Sequence, residues 1–129
     1  MTTKPKRLSP AKMEKLALEL VAYLQKHELF DHVYIYVNNK CYCQHRTDGR
    51  GQRHATKYGN YYIVPDIPVK DMLQYCNPKT ISVSFDGALY TALNSGIGSV
   101  EDDLNKMFRK HGMYFEQGYP SDFALYYDD

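Results

Sequence analysis

The stretch that decides the fold is HVYIYVNNKCYCQH, residues 32–45. Side chains alternate with period two on both sides of Asn38 and Asn39, which is typical of two β-strands. Asparagine tolerates the positive φ angles that a two-residue type I′ turn requires. The stretch therefore predicts an antiparallel hairpin with strands at 32–37 and 40–45.

The register of this hairpin decides which side chains share a face. If the two asparagines form the whole turn, Tyr36 lies opposite Cys41 and Tyr34 lies opposite Cys43, and all four side chains are on one face of the sheet. A three-residue turn at 38–40 would instead place both cysteines beside the apolar residues of the first strand, where they would be small buried hydrophobes. The sequence leaves both registers open.

Helix and strand patterns continue on both sides of the hairpin. Ser9 as N-cap and Pro10 at the first helical position begin a helix over about 10–28, with apolar residues at helical spacing. The elements predicted after the hairpin are a strand at 58–65, a short helix from Pro68 to Pro78, a strand at 80–85, a helix at 88–94, a helix from 99 that Gly112 ends, and a hairpin of strands at 113–118 and 122–127.

The predicted order is α-β-β-β-α-β-α-α-β-β. Runs of adjacent strands, rather than strict alternation of strands and helices, indicate an α+β fold. We expect a mostly antiparallel sheet with helices packed on one face. Residues 1–8 are predicted to be a flexible basic arm, and residues 9–129 are predicted to form a single domain.

The composition is that of a globular protein, with 43% hydrophobic and 24% charged residues. No apolar run reaches the ~20 residues of a membrane span, and the first residues do not resemble a secretory signal, so we expect no membrane partner. Three cysteines, an odd number, are a poor disulfide framework and fit reduced thiols in the cytoplasm. Charge is uneven, with a net +6 over residues 1–60 and a net −5 over residues 61–129. Such a dipole favours binding to a polyanion or head-to-tail association of copies of the chain, unless folding intermixes the two halves.

A metal site is one hypothesis for the hairpin. In the two-residue register, His32, Cys43 and His45 could approach a common soft cation. The chain has no C-x-x-C pair, which structural zinc sites usually contain, and it also lacks the common catalytic motifs. We therefore expect neither a metal or other cofactor nor an enzymatic activity.

A nucleic-acid interface is a second hypothesis, based on the loop at 46–57. This loop carries four basic side chains and two glycines, and Tyr58 follows it directly. Basic side chains bind phosphates, and a tyrosine ring can stack on an unpaired base. The residues concerned are Arg46, Arg50, Arg53, Lys57 and Tyr58. A sequence pI near 7.7 is less basic than a dedicated nucleic-acid-binding domain usually is, so this hypothesis ranks second.

A protein interface is the favoured hypothesis, because the chain has 13 tyrosines and no tryptophan. Tyrosine combines a large apolar ring with a polar tip, which favours it at interfaces. Tyr34 and Tyr36 lie on the face opposite the apolar residues of their strand, and Tyr126 points to the opposite side from its neighbour Tyr127. We expect these rings to contact a partner protein or a second copy of the chain, unless helices cover both faces.

Overall fold

A computed structural model describes residues 7–44, 56–58, 60–96 and 98–128, with the backbone alone for 56–58. The elements within these residues are α1 (Pro10–Lys26), β1 (Val33–Val37), β2 (Lys40–Cys43), β3 (Thr56–Tyr58), β4 (Tyr61–Val64), β5 (Ile81–Phe85), α2 (Gly87–Asn94), α3 (Ser99–Arg109), β6 (Met113–Glu116) and β7 (Asp122–Tyr127). The α+β class and the order of elements are confirmed, with β3 as one further short strand.

The strands form one sheet in the order β3-β4-β2-β1-β5-β7-β6, and each neighbouring pair is antiparallel. All three helices pack on one face of this sheet and contribute to a single apolar cluster. The fully buried members of that cluster include Leu16, Leu20 and Leu24 of α1, Leu89 of α2, Leu104 and Phe108 of α3, and Ile35, Val83 and Phe123 of the sheet. The predicted placement of the helices on one face is therefore confirmed.

Helix α1 begins as the sequence predicts. The Ser9 hydroxyl accepts a hydrogen bond from the Lys12 backbone N–H at 3.3 Å, and Pro10 is the first helical residue. The helix ends at Lys26, two residues before the predicted end. Glu28 has a φ of 57°, which is the left-handed conformation that reverses the chain after a helix.

The β1–β2 hairpin has the two-residue turn. Asn38 and Asn39 have φ angles of 51° and 60°, as a type I′ turn requires. Tyr36 lies opposite Cys41 in the ladder, and the pairing of the rest of the hairpin follows the same register. The alternative with a three-residue turn at 38–40 is wrong, because a glycine-free turn can still be tight when both positions are asparagine.

A half-buried carboxylate, that of Glu14, joins the hairpin to α1. The Glu14 Oε1 atom accepts hydrogen bonds from Lys40 Nζ at 2.8 Å and from the Tyr42 hydroxyl at 3.0 Å. Its Oε2 atom accepts one from Asn38 Nδ2 at 2.9 Å. Partial burial alone would raise the pKa of Glu14, but the hydrogen bonds from Lys40, Asn38 and Tyr42 outweigh it and lower that pKa.

Two predicted elements between β2 and β5 differ from the structure. The strand predicted at 58–65 is replaced by β3 and β4, which pair with each other. The helix predicted from Pro68 to Pro78 is a 3₁₀ turn of three residues, Val69–Asp71. The apolar residues of this stretch do not need a helix, because they pack against the sheet face that carries no helices.

Residues 65–78, which include this 3₁₀ turn, form what we call the covering segment. It begins with a hydrogen bond from the Ile67 N–H to the Asn39 carbonyl at 2.8 Å and ends with one from the Asn77 N–H to Ser82 Oγ, also at 2.8 Å. It covers a second, smaller core that consists of Tyr36, Cys41, Cys43, Val64, Ile67 and Val69. The sheet is therefore covered on both faces at its centre.

Helix α3 lies over the edge of the sheet and turns directly into β6. Its buried residues Leu104, Met107 and Phe108 face the main core. Gly112 has a φ of 70°, which confirms its predicted place at the end of this helix. The helix begins at Ser99, as the sequence predicts, with Gly98 as its N-cap and without a side-chain capping hydrogen bond.

Candidate protein-binding surface

Four tyrosines near β6 and β7 form what we call the tyrosine surface. Tyr75, Tyr114 and Tyr119 are 45%, 36% and 46% exposed, and Tyr126 is half-buried beside them. They come from three parts of the chain, namely the covering segment, the two last strands and the turn between them. The surface is on the sheet face opposite the helices, because Tyr114 and Tyr126 alternate with residues of the main core.

Tyr75 and Tyr119 form the first pair of this surface. Their ring centroids are 4.9 Å apart at an interplanar angle of 65°, an edge-to-face contact. The Tyr119 hydroxyl donates a hydrogen bond to Gln74 Oε1 at 2.8 Å. A Cβ atom at Gly118 would lie 2.4 Å from the Tyr75 Cβ atom, so only glycine allows this close approach.

The turn that carries Tyr119 is held by a buried carboxylate. Asp122 is 4% exposed, and its Oδ1 atom accepts hydrogen bonds from the backbone N–H groups of Gly118 and Tyr119 at 3.1 and 2.9 Å. Asn94 at the end of α2 donates to the Pro120 carbonyl at 2.9 Å. The exposed ring of Tyr119 is thus presented by a fixed turn.

Tyr114 and Tyr126 form the second pair, as directly opposed residues of β6 and β7. Their ring centroids are 6.0 Å apart with an angle of 34°. Partial burial and the nearby negative charge of Glu116 raise the pKa of Tyr126.

The covering segment connects the two pairs. Asn77, two residues after Tyr75, lines a hollow of about 540 Å³ together with Tyr114 and Tyr126. Its side-chain amide donates to the Leu125 carbonyl at 2.8 Å, which fixes the segment on β7. Aromatic rings, hydroxyl groups and backbone therefore lie side by side over this end of the sheet, an arrangement that suits contact with another protein.

The structure separates the three tyrosines that the sequence assigns to a protein interface. Tyr126 belongs to the tyrosine surface. Tyr34 is half-buried near the second core. Tyr36 is 6% exposed and lies inside that core, because the covering segment passes over it. Tyr36 is therefore a core residue and is not part of the candidate surface.

Sequence reasoning missed Tyr75, Tyr114 and Tyr119. Two signals were available. Tyr119 precedes Pro120 in the turn of the last hairpin, and turns are exposed. Tyr114 lies between the apolar residues Met113 and Phe115, so strand alternation places its ring on the other face.

The two hairpin cysteines are buried beside Tyr36. The Cys41 thiol donates a hydrogen bond to Cys43. This hydrogen bond and the burial of the thiol raise the pKa of Cys41. The pKa of Cys43 is lowered by the hydrogen bond that it accepts from Cys41. Burial, together with the neighbouring Cys41, raises the pKa of the Tyr36 hydroxyl, which also contacts Ser84. Burial of the cysteines was expected only with a three-residue turn, and that expectation is wrong because both sheet faces are covered.

The structure does not bring the suggested metal ligands together within the residues it describes. His32 is in the loop before β1, 58% exposed, with its Nε2 atom 3.4 Å from the Asp31 carboxylate. Cys43 is 1% exposed, and His45 lies outside the described residues. In the described ranges no three His, Cys, Asp or Glu side chains are placed to hold a metal ion.

Most of the basic loop lies outside the described residues. This applies to Arg46, Arg50 and Arg53, whereas Lys57 and Tyr58 belong to strand β3. The end of the N-terminal arm contacts the fold, since the Arg7 guanidinium lies 4.3 Å from the Tyr127 ring centroid and the Leu8 N–H donates to the Tyr127 hydroxyl at 2.8 Å.

No helix within the described ranges combines the length and the apolar character needed to span a bilayer. No known family model matches the sequence, and neither the curated proteins nor the solved structures include a significant match.

Proposed function

We propose that this protein is a small, non-enzymatic binding domain that acts in the cytoplasm through a protein partner, which it contacts with the tyrosine surface. The observation that supports this best is the grouping of Tyr75, Tyr114, Tyr119 and Tyr126 on one side of the sheet, three of them more than a third exposed. Three free cysteines are consistent with a reducing compartment.

Tyrosine pairs of this kind suit protein recognition for physical reasons. A tyrosine ring has only two side-chain torsions, so it buries a large apolar area on binding at a small cost in conformational entropy. Here the edge-to-face contact and the fixed turn already restrict the Tyr119 ring before a partner binds. Such prior ordering lowers the entropic cost of association further. Arg7 and Lys79 line the adjacent hollow, so we expect a partner with acidic groups around an apolar centre.

The test is an affinity purification with matched baits. The wild-type protein, the double variant Tyr75→Ala/Tyr119→Ala and the control Leu18→Ala are compared, and a retained protein is identified, purified and measured by calorimetry. Leu18 is 38% exposed on the outer side of α1, so it controls for the loss of exposed apolar area. Loss of a tyrosine at the centre of an interface costs about 2 kcal/mol, so we expect at least about a 30-fold weaker affinity for the double variant and no change for the control.

Far-UV circular dichroism of each bait excludes unfolding as the cause. The proposal is contradicted if the identified partner binds the double variant as tightly as the wild type. A partner lost from the Leu18→Ala bait alone would place the interface on the helices instead.

Nucleic-acid binding through residues 46–57 stays the second proposal, with Arg46, Arg50 and Arg53 as the phosphate contacts. Its support is the local density of basic residues in the sequence.

A further inference from the structure

Strand β6 is the outer strand of the sheet, and part of its backbone points outward. β7 is its partner in the described sheet. The Asp128 N–H donates to the Gly112 carbonyl at 2.8 Å, so these opposed residues form a hydrogen-bonded pair. Because such pairs alternate along an antiparallel ladder, the N–H and C=O groups of Met113 and Phe115 are directed away from β7. An edge of this kind is a template for a further strand.

Helix α3 places opposite charges at the two ends of this edge. The Asp103 carboxylate accepts a hydrogen bond from Tyr23 of α1 at 2.7 Å, which shows the side of α3 that faces α1. Glu101, Asn105 and Arg109 follow one another at intervals of four residues, so they form a row on roughly the opposite side of the helix. Because α1 packs over β1 and α3 packs over β6, this side of α3 is directed toward the β6 edge, and both charged residues are exposed.

The lengths of the two elements bring each charge over one end of the strand. The 11 residues of α3 span about 16 Å and the 4 residues of β6 about 13 Å, and the chain reverses between them at Gly112. Arg109 lines the same hollow as Met113, at the start of the strand. Glu101 belongs to the first turn of α3 and therefore lies toward the end of the strand, where Glu116 is also exposed.

We propose that two copies of this chain associate through their β6 edges, antiparallel and about a two-fold axis. In this arrangement Met113 of one copy forms the bonded pair with Phe115 of the other, and Tyr114 lies opposite its own counterpart. The two helix layers are on the same side of a continuous sheet. Glu101 of each copy then faces Arg109 of the other, so the charges complement each other twice. Parallel pairing of the same two edges would place the helix layers on opposite faces of the sheet, so these charges would not meet.

This association goes beyond the tyrosine surface and uses other groups, namely the edge backbone and the charges of α3. It also has a consequence for that surface. Tyr114 is at the two-fold axis, so the tyrosine surfaces of both copies become neighbours and can bind a partner of twofold symmetry or two copies of one partner.

The experiment is light scattering on a size-exclusion column at low salt, with the wild type, three charge variants and the variant Tyr75→Ala/Tyr119→Ala. The wild type is expected near twice 15.0 kDa. Glu101→Arg and Arg109→Glu each bring like charges together and are expected near 15.0 kDa. The double variant Glu101→Arg/Arg109→Glu restores opposite charges across the axis and is expected to regain the mass of two copies. Both side chains are exposed, and circular dichroism checks that each variant is folded.

Hydrogen exchange provides a second measurement on the backbone itself. The amides of Met113 and Phe115 are expected to exchange at least tenfold more slowly in the wild type than in the monomeric single variants. A wild type that stays monomeric at the highest soluble concentration overturns the proposal. So does a dimer that persists in both single variants. A dimer lost in Tyr75→Ala/Tyr119→Ala but retained in the charge variants would assign self-association to the tyrosine surface, and the edge proposal would be wrong while the proposed function stands.

Discussion

Removal of the Glu14 carboxylate by Glu14→Ala is expected to destabilise the protein by about 2–3 kcal/mol. Three donors from the β1–β2 hairpin converge on this side chain, and they lose a shared acceptor together. The Tyr42 hydroxyl is the most costly of them, because Tyr42 is 2% exposed. A buried donor that loses a charged acceptor costs about 1–3 kcal/mol, whereas the Lys40 pair is worth about 0.5 kcal/mol because the Lys40 side chain is 39% exposed.

The matched control is Glu19→Ala on the same helix. Glu19 pairs with Lys110 at 3.2 Å, but their side chains are 42% and 63% exposed, so solvent screens the pair. We expect a change below about 0.5 kcal/mol for this variant. Urea unfolding monitored by circular dichroism at pH 7 gives both free energies of unfolding with sufficient precision.

The pH dependence of the stabilisation by Glu14 provides a second test, because the direction of the pKa shift predicts how this stabilisation changes with pH. The folded state lowers the pKa of Glu14, so the stabilisation by the carboxylate is fully present above the unfolded-state pKa and is lost as the pH falls through the folded-state value. The difference in the free energy of unfolding between the wild type and Glu14→Gln should therefore be largest at pH 7 and should shrink on acidification to about pH 3. A difference that does not change with pH, or a cost of Glu14→Ala below about 0.5 kcal/mol, would refute this account.

Three further predictions concern other parts of the chain. Gly118→Ala places a Cβ atom against Tyr75, so it should cost about 1–3 kcal/mol in unfolding experiments and weaken partner binding. At Gly98 the nearest atom is 3.9 Å away, so Gly98→Ala should cost only the weaker N-cap, about 1 kcal/mol or less, and leave partner binding unchanged. Equal losses of partner affinity would contradict this reasoning. Asn39→Ala is expected to lower the free energy of unfolding by about 1 kcal/mol, because residue 39 has a positive φ angle that alanine adopts poorly. Asn39→Gly should not lower it, because glycine adopts this angle readily. Thermal unfolding measures both variants, and an equal loss for the two would argue against backbone strain. If the loop at 46–57 binds nucleic acid, gel retardation of a single-stranded oligonucleotide should weaken as salt rises and disappear in the triple variant; retardation that survives in that variant would exclude this loop. The triple variant changes Arg46, Arg50 and Arg53 to alanine.

Local signals predicted the elements whose ends depend on nearby residues. Ser9 and Pro10 specify the start of α1, because capping involves only the first turn of a helix. The two asparagines at 38 and 39 likewise specify the hairpin register, because the positive φ angles are a property of the turn itself. The covering segment is different. Its apolar residues fit helical spacing, but their contacts lie in β1, β2 and β4, and long-range packing overrides a local pattern.

The candidate surface depends on the same long-range packing. Strand alternation correctly places Tyr36 and Tyr126 away from the main core. It does not show which part of that face another segment covers. Residues 65–78 cross the centre of the face and bury Tyr36, and they leave the β6–β7 end open, where Tyr126 meets Tyr114. No pattern within either strand contains this information, because the covering residues come from elsewhere in the chain.

The covering segment makes the hairpin thiols natural reporters of local opening. Cys41 and Cys43 are 5% and 1% exposed beneath a segment whose regular structure amounts to one three-residue turn. Such a segment can detach while the paired strands stay intact, since local openings require less free energy than global unfolding. In a Cys76→Ser background, a thiol reagent should therefore modify the two cysteines at the opening frequency of residues 65–78, and this rate should respond to Ile67→Ala much more than to Glu14→Ala. The modification rate of these two thiols therefore reports how readily the covering segment opens, without any added probe.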